Sequence, residues 1–141
     1  MSITEQVLRF HDKLYKRTDG RIGHKWLGVP TLLLNTTGRR SGQPRVNSLV
    51  YARDGDDYVL VASNGGADQN PAWLHNVRAH PDVEVQVGRE RSKATAKVLG
   101  PEDPGYARVW KLANDGNSNR YDAYQEKTSR PIPVVVVTPV S

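Results

Sequence analysis

The decapeptide TTGRRSGQPR, residues Thr36 to Arg45, holds three arginines, two glycines and a proline, and no acid. Fixed positive charge on a flexible backbone suits the gripping of phosphate or carboxylate. Planar guanidinium forks supply charge-assisted hydrogen bonds, and glycines let amide N–H groups turn toward an anion. Arg39, Arg40 and Ser41 lie between Gly38 and Gly42, with Arg45 across the turn. A solvated hairpin with incidental charge has the same composition, so this turn alone leaves both readings open.

A second candidate is ASNGGADQNPAWLHN, starting at Ala62. A strand that ends at Ala62-Ser63 and runs into Gly65-Gly66 permits close approach by a flat ligand, with N–H groups donating to its carbonyls. Trp73 and Asn76, three apart on the helix that follows, share one face. The tryptophan is either core or a wall for that ligand. Tyr121 and Tyr124 repeat the spacing on a later helix. Their phenols either pack with hydroxyls in water or stand at a pocket mouth, orienting a substrate or passing a proton.

Other chemistries are missing. No cysteine is present, which excludes thiolate nucleophiles and disulfides. His11, His24, His75 and His80 form no metal-binding pair at helical i, i+4 spacing, so no metal is expected. No dinucleotide fingerprint, P-loop or nucleophile elbow occurs. Lys and Arg number 20 against 15 Asp and Glu, a net charge of +5 that suits an anionic partner. Nucleic acid is not expected, because no aromatics interleave the basic cluster to stack bases.

The elements that must position these residues follow from the pattern. Ser2 and Glu5 form a capping box ahead of Ile3, Val7, Phe10 and Leu14, which predicts a first helix ending near Arg17. Its basic side carries Arg9, Lys13, Lys16 and Arg17. It reads as a lid on a sheet, with contact to acidic lipid at the inner membrane face as the alternative. No secretory leader or membrane-spanning run is read, so a cytoplasmic address is expected.

From Thr31 the chain reads as strands: TLLLNTT, then VNSLVYARDGDDYVLVAS as two strands joined at Asp54-Gly55, then DVEVQVG, KATAKVL and IPVVVV. In DVEVQVG, Val83, Val85 and Val87 face one way, and Glu84 and Gln86 the other. Six strands joined mostly by short turns predict an antiparallel sheet or small barrel, mainly β with some α, in one domain over 1–141. Short helices interrupt it: one capped by Asn70 with Pro71 at its first position and ended by His80-Pro81, and two more in EDPGYARVWKLAND and NRYDAYQEKT.

Together, TTGRRSG-x-x-R, Y-x-RDGDDYVLVAS, GG-x(4)-PAW-x-HN and RYDAYQEKTSRPIPVVVVTP resemble the deazaflavin-dependent nitroreductase family, within the flavin and deazaflavin oxidoreductases of split β-barrel fold. The match runs from about Thr31 to Pro139 with all four motifs in order. The resemblance implies coenzyme F420, an 8-hydroxy-5-deazaflavin whose tail carries phosphate and glutamates. It places Arg39, Arg40, Ser41 and Arg45 on that tail, and Ser63, Asn64, Gly65, Trp73 and Asn76 along the ring. Asn47, Leu49 and Ala62 complete the implied cofactor set, and Tyr121 and Tyr124 border the substrate.

The activity implied is hydride transfer from reduced F420 to an activated alkene, quinone or nitroaromatic. A non-catalytic carrier of deazaflavin, flavin or tetrapyrrole is the alternative, and the chain is expected to be a monomer or homodimer. Three positions depart from relatives: Asn64 stands where lysine is common, Leu74 where tyrosine is, and Ser48 where proline is. The first removes a cation from the implied cofactor set, and the second makes that stretch more apolar.

Overall fold

The computed structural model describes residues 29–140. The expected first helix, with its lipid-facing alternative, lies outside them. Seven strands form one sheet: β1 (Thr31–Thr37), β2 (Pro44–Val50), β3 (Ala52–Asp54), β4 (Asp57–Val61), β5 (Asp82–Val87), β6 (Glu90–Leu99) and β7 (Val134–Pro139). Their order is β2-β1-β5-β6-β7-β4-β3, and every neighbouring pair is antiparallel.

The order explains the shape. β2 and β3 sit at opposite ends of the sheet, yet only Tyr51 separates them in sequence. The sheet must therefore curl until its two edges approach, which makes it a curled half-barrel. Tyr51 marks the corner: its N–H donates to the Pro30 carbonyl at 3.2 Å, and its ring meets Tyr58 edge-on at 5.2 Å. Here the structure differs from the sequence expectation. VNSLVYARDGDDYVLVAS makes three strands, because Val50 pairs with Thr31 of β1 while Ala52 pairs with Val59 of β4. One continuous strand could not serve both edges.

Alternation divides the core between the two faces. Leu32, Leu34, Leu60, Ala62, Val83, Val85, Ala94, Ala96, Val135 and Val137 gather on one face with Trp73, Leu74 and Val77 of helix α1 (Ala72–Ala79). Val59, Val61, Leu99 and Val134 face the other way, against Val109 and Ala113 of α2 (Tyr106–Asp115), Tyr121 of α3 (Arg120–Glu126), and Ile132. β4 and β7 are thus covered on both sides, which is why PVVVV reads as an unbroken apolar run. Each fully buried leucine or valine contributes about 1.5–3 kcal/mol over an exposed one. Gln86, expected on a polar face, is instead buried, and its Nε2 donates to the Gly88 carbonyl at 2.9 Å.

The turns follow the glycines. Gly55 (φ 63°) and Gly88 (φ 59°) take left-handed conformations in the β3–β4 and β5–β6 hairpins. α1 starts one residue later than expected: Pro71 is its N-cap, with extended ψ of 150°, and its carbonyl accepts the Leu74 N–H at 3.1 Å. Asn70 does not cap it, since its side chain serves another partner. The helix stops at His80, where the proline that follows disfavours helical backbone. Among the described residues, no helix is long and apolar enough to cross a membrane.

Candidate active site

The arginine turn joins β1 to β2 where Thr37 pairs with Pro44. Two backbone bonds close it, from Gly38 N–H to the Gln43 carbonyl at 2.8 Å and from Gly42 N–H to the Gly38 carbonyl at 2.9 Å. Both glycines favour this shape. Gly42 has φ 68°, and a Cβ on Gly38 would stand 2.6 Å from Ser41 Oγ. Ser41 braces the turn from within: its Oγ accepts the Gln43 N–H at 3.1 Å and an Arg45 guanidinium N–H at 3.5 Å. Arg39, Arg40 and Arg45 are exposed. Among the described residues, no carboxylate forms an ion pair with any of the three.

α1 holds this turn in place. Asn76, buried, accepts the Arg39 backbone N–H on Oδ1 at 3.0 Å, and its Nδ2 donates to Thr36 Oγ1 at 3.5 Å. The same helix brings His75 close enough to Arg39 and Arg40 to feel their charges, along with that of Arg78 on its own helix. Partial burial and the charges of Arg39, Arg78 and Arg40 push the His75 imidazole below its ordinary pKa. Sequence reasoning missed His75 and Arg78 as members of this cluster. Their i, i+3 spacing was the available signal, but only folding places that face beside the turn.

The glycine-rich turn leaves β4 as a 3-10 turn over Asn64–Gly66. Ser63 is right-handed (φ −73°, ψ −34°), while Asn64 (φ 48°) and Gly65 (φ 65°, ψ 16°) are left-handed. This right-then-left succession makes consecutive amide N–H groups converge on one point, an anion- or carbonyl-binding concavity. Asn64 tolerates the left-handed region, and its Nδ2 closes the loop onto the Gln69 carbonyl at 3.0 Å. Asn64 therefore acts as a loop brace. Gly66 (φ 85°) lies against α3: a Cβ there would meet the Tyr124 carbonyl oxygen at 2.8 Å and Lys127 Cβ at 3.1 Å.

That close approach brings Tyr124 beside the glycine turn. Tyr124 is half-buried, with the Lys127 ammonium 5.6 Å from its ring centroid. Tyr121 is buried in the second core, 6.3 Å from both the Trp110 and Tyr124 rings. Burial pushes its phenol up to about 12, against the opposing effect of a hydrogen bond from Asn117. The two tyrosines share a face, as their spacing predicts, but only Tyr124 has substantial exposure. Their helix is anchored to α2 by Asp122, which accepts from Trp110 Nε1 at 2.8 Å and Asn114 Nδ2 at 2.7 Å.

The structure places the other residues that the resemblance implies as follows. Trp73 and Ala62 are buried in the first core, so the tryptophan takes its packing role. Ser63 is also buried. Asn47 and Leu49 sit on β2 opposite Leu34 and Leu32, and Leu49 packs on the same core. Asn76 binds protein groups on both sides of its amide. α1 links the two turns: it starts just after the glycine turn, and Asn76 lies about 7 Å of helical rise beyond Pro71.

The chain matches the family described as F420H(2)-dependent quinone reductase over residues 7–139. It is 57% identical over 134 residues to an F420H(2)-dependent quinone reductase of Mycobacterium tuberculosis strain H37Rv, covering 94% of this chain and 90% of that protein. Among solved structures it is similar to one described as a domain-swapped dimer, with 35% identity, TM-score 0.71, and coverage of 96% of this chain and 99% of that one. It is also similar to an F420-H2 dependent reductase, with 39% identity, TM-score 0.68, and coverage of 77% and 93%. With the family match running over nearly the whole chain and the 57% identity covering 94% of it, the chain belongs to the F420H(2)-dependent quinone reductase family.

Proposed function

We propose that this chain reduces quinones with hydride from reduced F420, holding the ring at the glycine turn and the acidic tail at the arginine turn. The observation that carries this reading is a pair of complementary turns joined by α1: the glycine turn leads into it, and Asn76 ties the arginine turn to it. At one, Ser63, Asn64 and Gly65 present converging amides to a ring edge. At the other, Arg39, Arg40 and Arg45 present exposed guanidinium groups to phosphate and carboxylates. These residues fit the group in charge, shape and hydrogen-bonding sense.

When bound, reduced F420 supplies the hydride, since deazaflavin is an obligate two-electron carrier. The protein needs no nucleophile; its residues bind, orient and exclude water. Asn47, Leu49 and Ala62 complete the ring's surroundings, with Trp73 behind them and Asn76 fixing the tail turn. A quinone that accepts hydride becomes a hydroquinone anion and needs one proton. Tyr124 or an ordered water delivers that proton, and buried Tyr121 sets the position of the Tyr124 ring. Activated alkenes and nitroaromatics are the further acceptors of this site. The residues named all belong to one chain, so the reading holds for a monomer and for a homodimer.

The test is a difference-spectrum titration with oxidised and reduced F420, followed by oxidation of reduced F420 with a quinone. Saturable binding and turnover above the no-enzyme control are expected. Binding without acceleration across a panel of quinones, enones and nitroaromatics would make the chain a carrier.

A further inference from the structure

Arg130 lies beyond the end of α3, outside the arginine turn, and commits its whole guanidinium to the glycine turn. Nε donates to the Ala67 carbonyl at 2.8 Å. Nη1 donates to Asn70 Oδ1 at 2.9 Å and to the Ala62 carbonyl at 3.4 Å. Nη2 donates to the Ser63 carbonyl at 2.8 Å and shares the Ala62 carbonyl at 3.4 Å. The loop's carbonyls are thus drawn to one side. Within a trans peptide the C=O and the following N–H point opposite ways, so holding the Ala62 and Ser63 carbonyls turns the Ser63 and Asn64 N–H groups away from the arginine.

The segment carrying Arg130 is itself fixed at both ends. Its backbone N–H donates to Thr128 Oγ1 at 3.3 Å, and that hydroxyl donates to Asp68 Oδ1 at 2.9 Å, back in the glycine turn. Gln125, next to Tyr124 on α3, donates to the Arg130 carbonyl at 2.8 Å and accepts the Ile132 N–H at 3.0 Å. Glycine turn, Arg130 segment and tyrosine helix therefore form one hydrogen-bonded unit. Partial burial lowers the Arg130 pKa against the opposing charge of Asp68, yet a guanidinium stays charged throughout the working range. A lysine, with a single compact ammonium, does not reach acceptors spread from Ala62 to Asn70.

We infer that Arg130 is a positioning residue for the F420 ring: its fork sets the amides of the glycine turn and, through Gln125, the spacing between that turn and Tyr124. The inference rests on the proposed function, in which those amides meet the ring.

The test compares the parent chain with Arg130→Lys, measuring F420 affinity by titration at several salt concentrations and steady-state turnover with a quinone. Arg130→Lys is expected to raise the Kd and KM for F420 about tenfold or more, with the salt slope of binding unchanged and the quinone KM within about twofold. Parental F420 affinity with only a lower melting temperature would overturn the inference, leaving a structural arginine. So would a flattened salt slope in Arg130→Gln, because only loss of a charge that meets the ligand's charges flattens it. If Arg130→Lys does not fold, Asn70→Ala removes a single acceptor and should raise the Kd about two- to fivefold with the same salt signature; parental binding there overturns the inference too. A parent chain that binds no F420 defeats the functional reading itself, an outcome separable because it is read on the unmodified protein.

Discussion

The Asn76 carboxamide accepts the backbone N–H of Arg39 at 3.0 Å, tying the arginine turn to α1 across 37 residues of sequence. This bond sets the direction of the turn without using any of its charges. Asn76→Ala should leave the Arg39 N–H and Thr36 Oγ1 without their partner, a loss of about 1–3 kcal/mol in denaturant unfolding. F420 affinity should fall with it, because guanidinium groups on a loosened turn lose preorganisation. Parental affinity in a variant of lowered stability would show that the turn orders itself.

Arg39→Ala and Arg40→Ala are each expected to weaken F420 binding about tenfold and to flatten its dependence on ionic strength, because both face solvent and neither forms an ion pair with an acid among the described residues. FMN, with a shorter and less acidic tail, should bind the parent more weakly than F420 and lose less in either variant. Competition titration measures both. Equal or tighter FMN binding by the parent would count against the tail assignment.

Tyr124→Phe keeps the ring and removes the hydroxyl, so cofactor affinity should stay within about twofold while quinone turnover falls about ten- to a thousandfold. Tyr121→Phe should cost less than about tenfold, since its phenol is buried and held protonated, with a pKa pushed up to about 12. Stopped-flow oxidation of reduced F420 separates the two. Equal losses in both variants would make them a joint proton path, not one donor on a support.

Gly66 and Gly65 distinguish packing from backbone conformation. Gly66→Ala places a Cβ 2.8 Å from the Tyr124 carbonyl oxygen and keeps a φ of 85°, so both stability and turnover should drop. Gly65→Ala meets open space, leaving only the left-handed strain of about 1–2 kcal/mol. Thermal unfolding of the two variants gives the comparison, with Gly66→Ala the less stable.

His75 gives the chain a pH dependence. Its folded-state pKa lies below the ordinary value of 6.5, so the unfolded chain binds more protons in this range. Its contribution to stability is therefore fully present above pH 6.5 and is lost as pH falls through the lower folded value. An anion bound to Arg39 and Arg40 should raise that folded value by offsetting their charge. NMR titration of the His75 ring with and without F420 reads the shift, and His75→Asn should remove this part of the acid sensitivity.

What the sequence determined by itself was local. Gly55 announced its hairpin because glycine takes that left-handed turn at little cost. His80-Pro81 announced the end of α1 through the restriction on residues before proline. The arginine and glycine turns, and the shared face of the paired tyrosines, were legible as local structure for the same reason: composition and spacing act over a few residues.

The tertiary structure decided what depends on partners far along the chain. Whether Val50 and Ala52 belong to one strand depends on which neighbours they pair with, Thr31 and Val59. Whether Asn76 faces a ligand or a loop depends on where β1 ends. Arg130 looked like any exposed cation until folding set it beside carbonyls 60 to 68 residues away. Tyr121 and Tyr124 have the same spacing signal, yet α2 covers one phenol and leaves the other half-open. Periodicity specifies which side chains share a face, but not what that face meets, because the meeting depends on sheet order and curl.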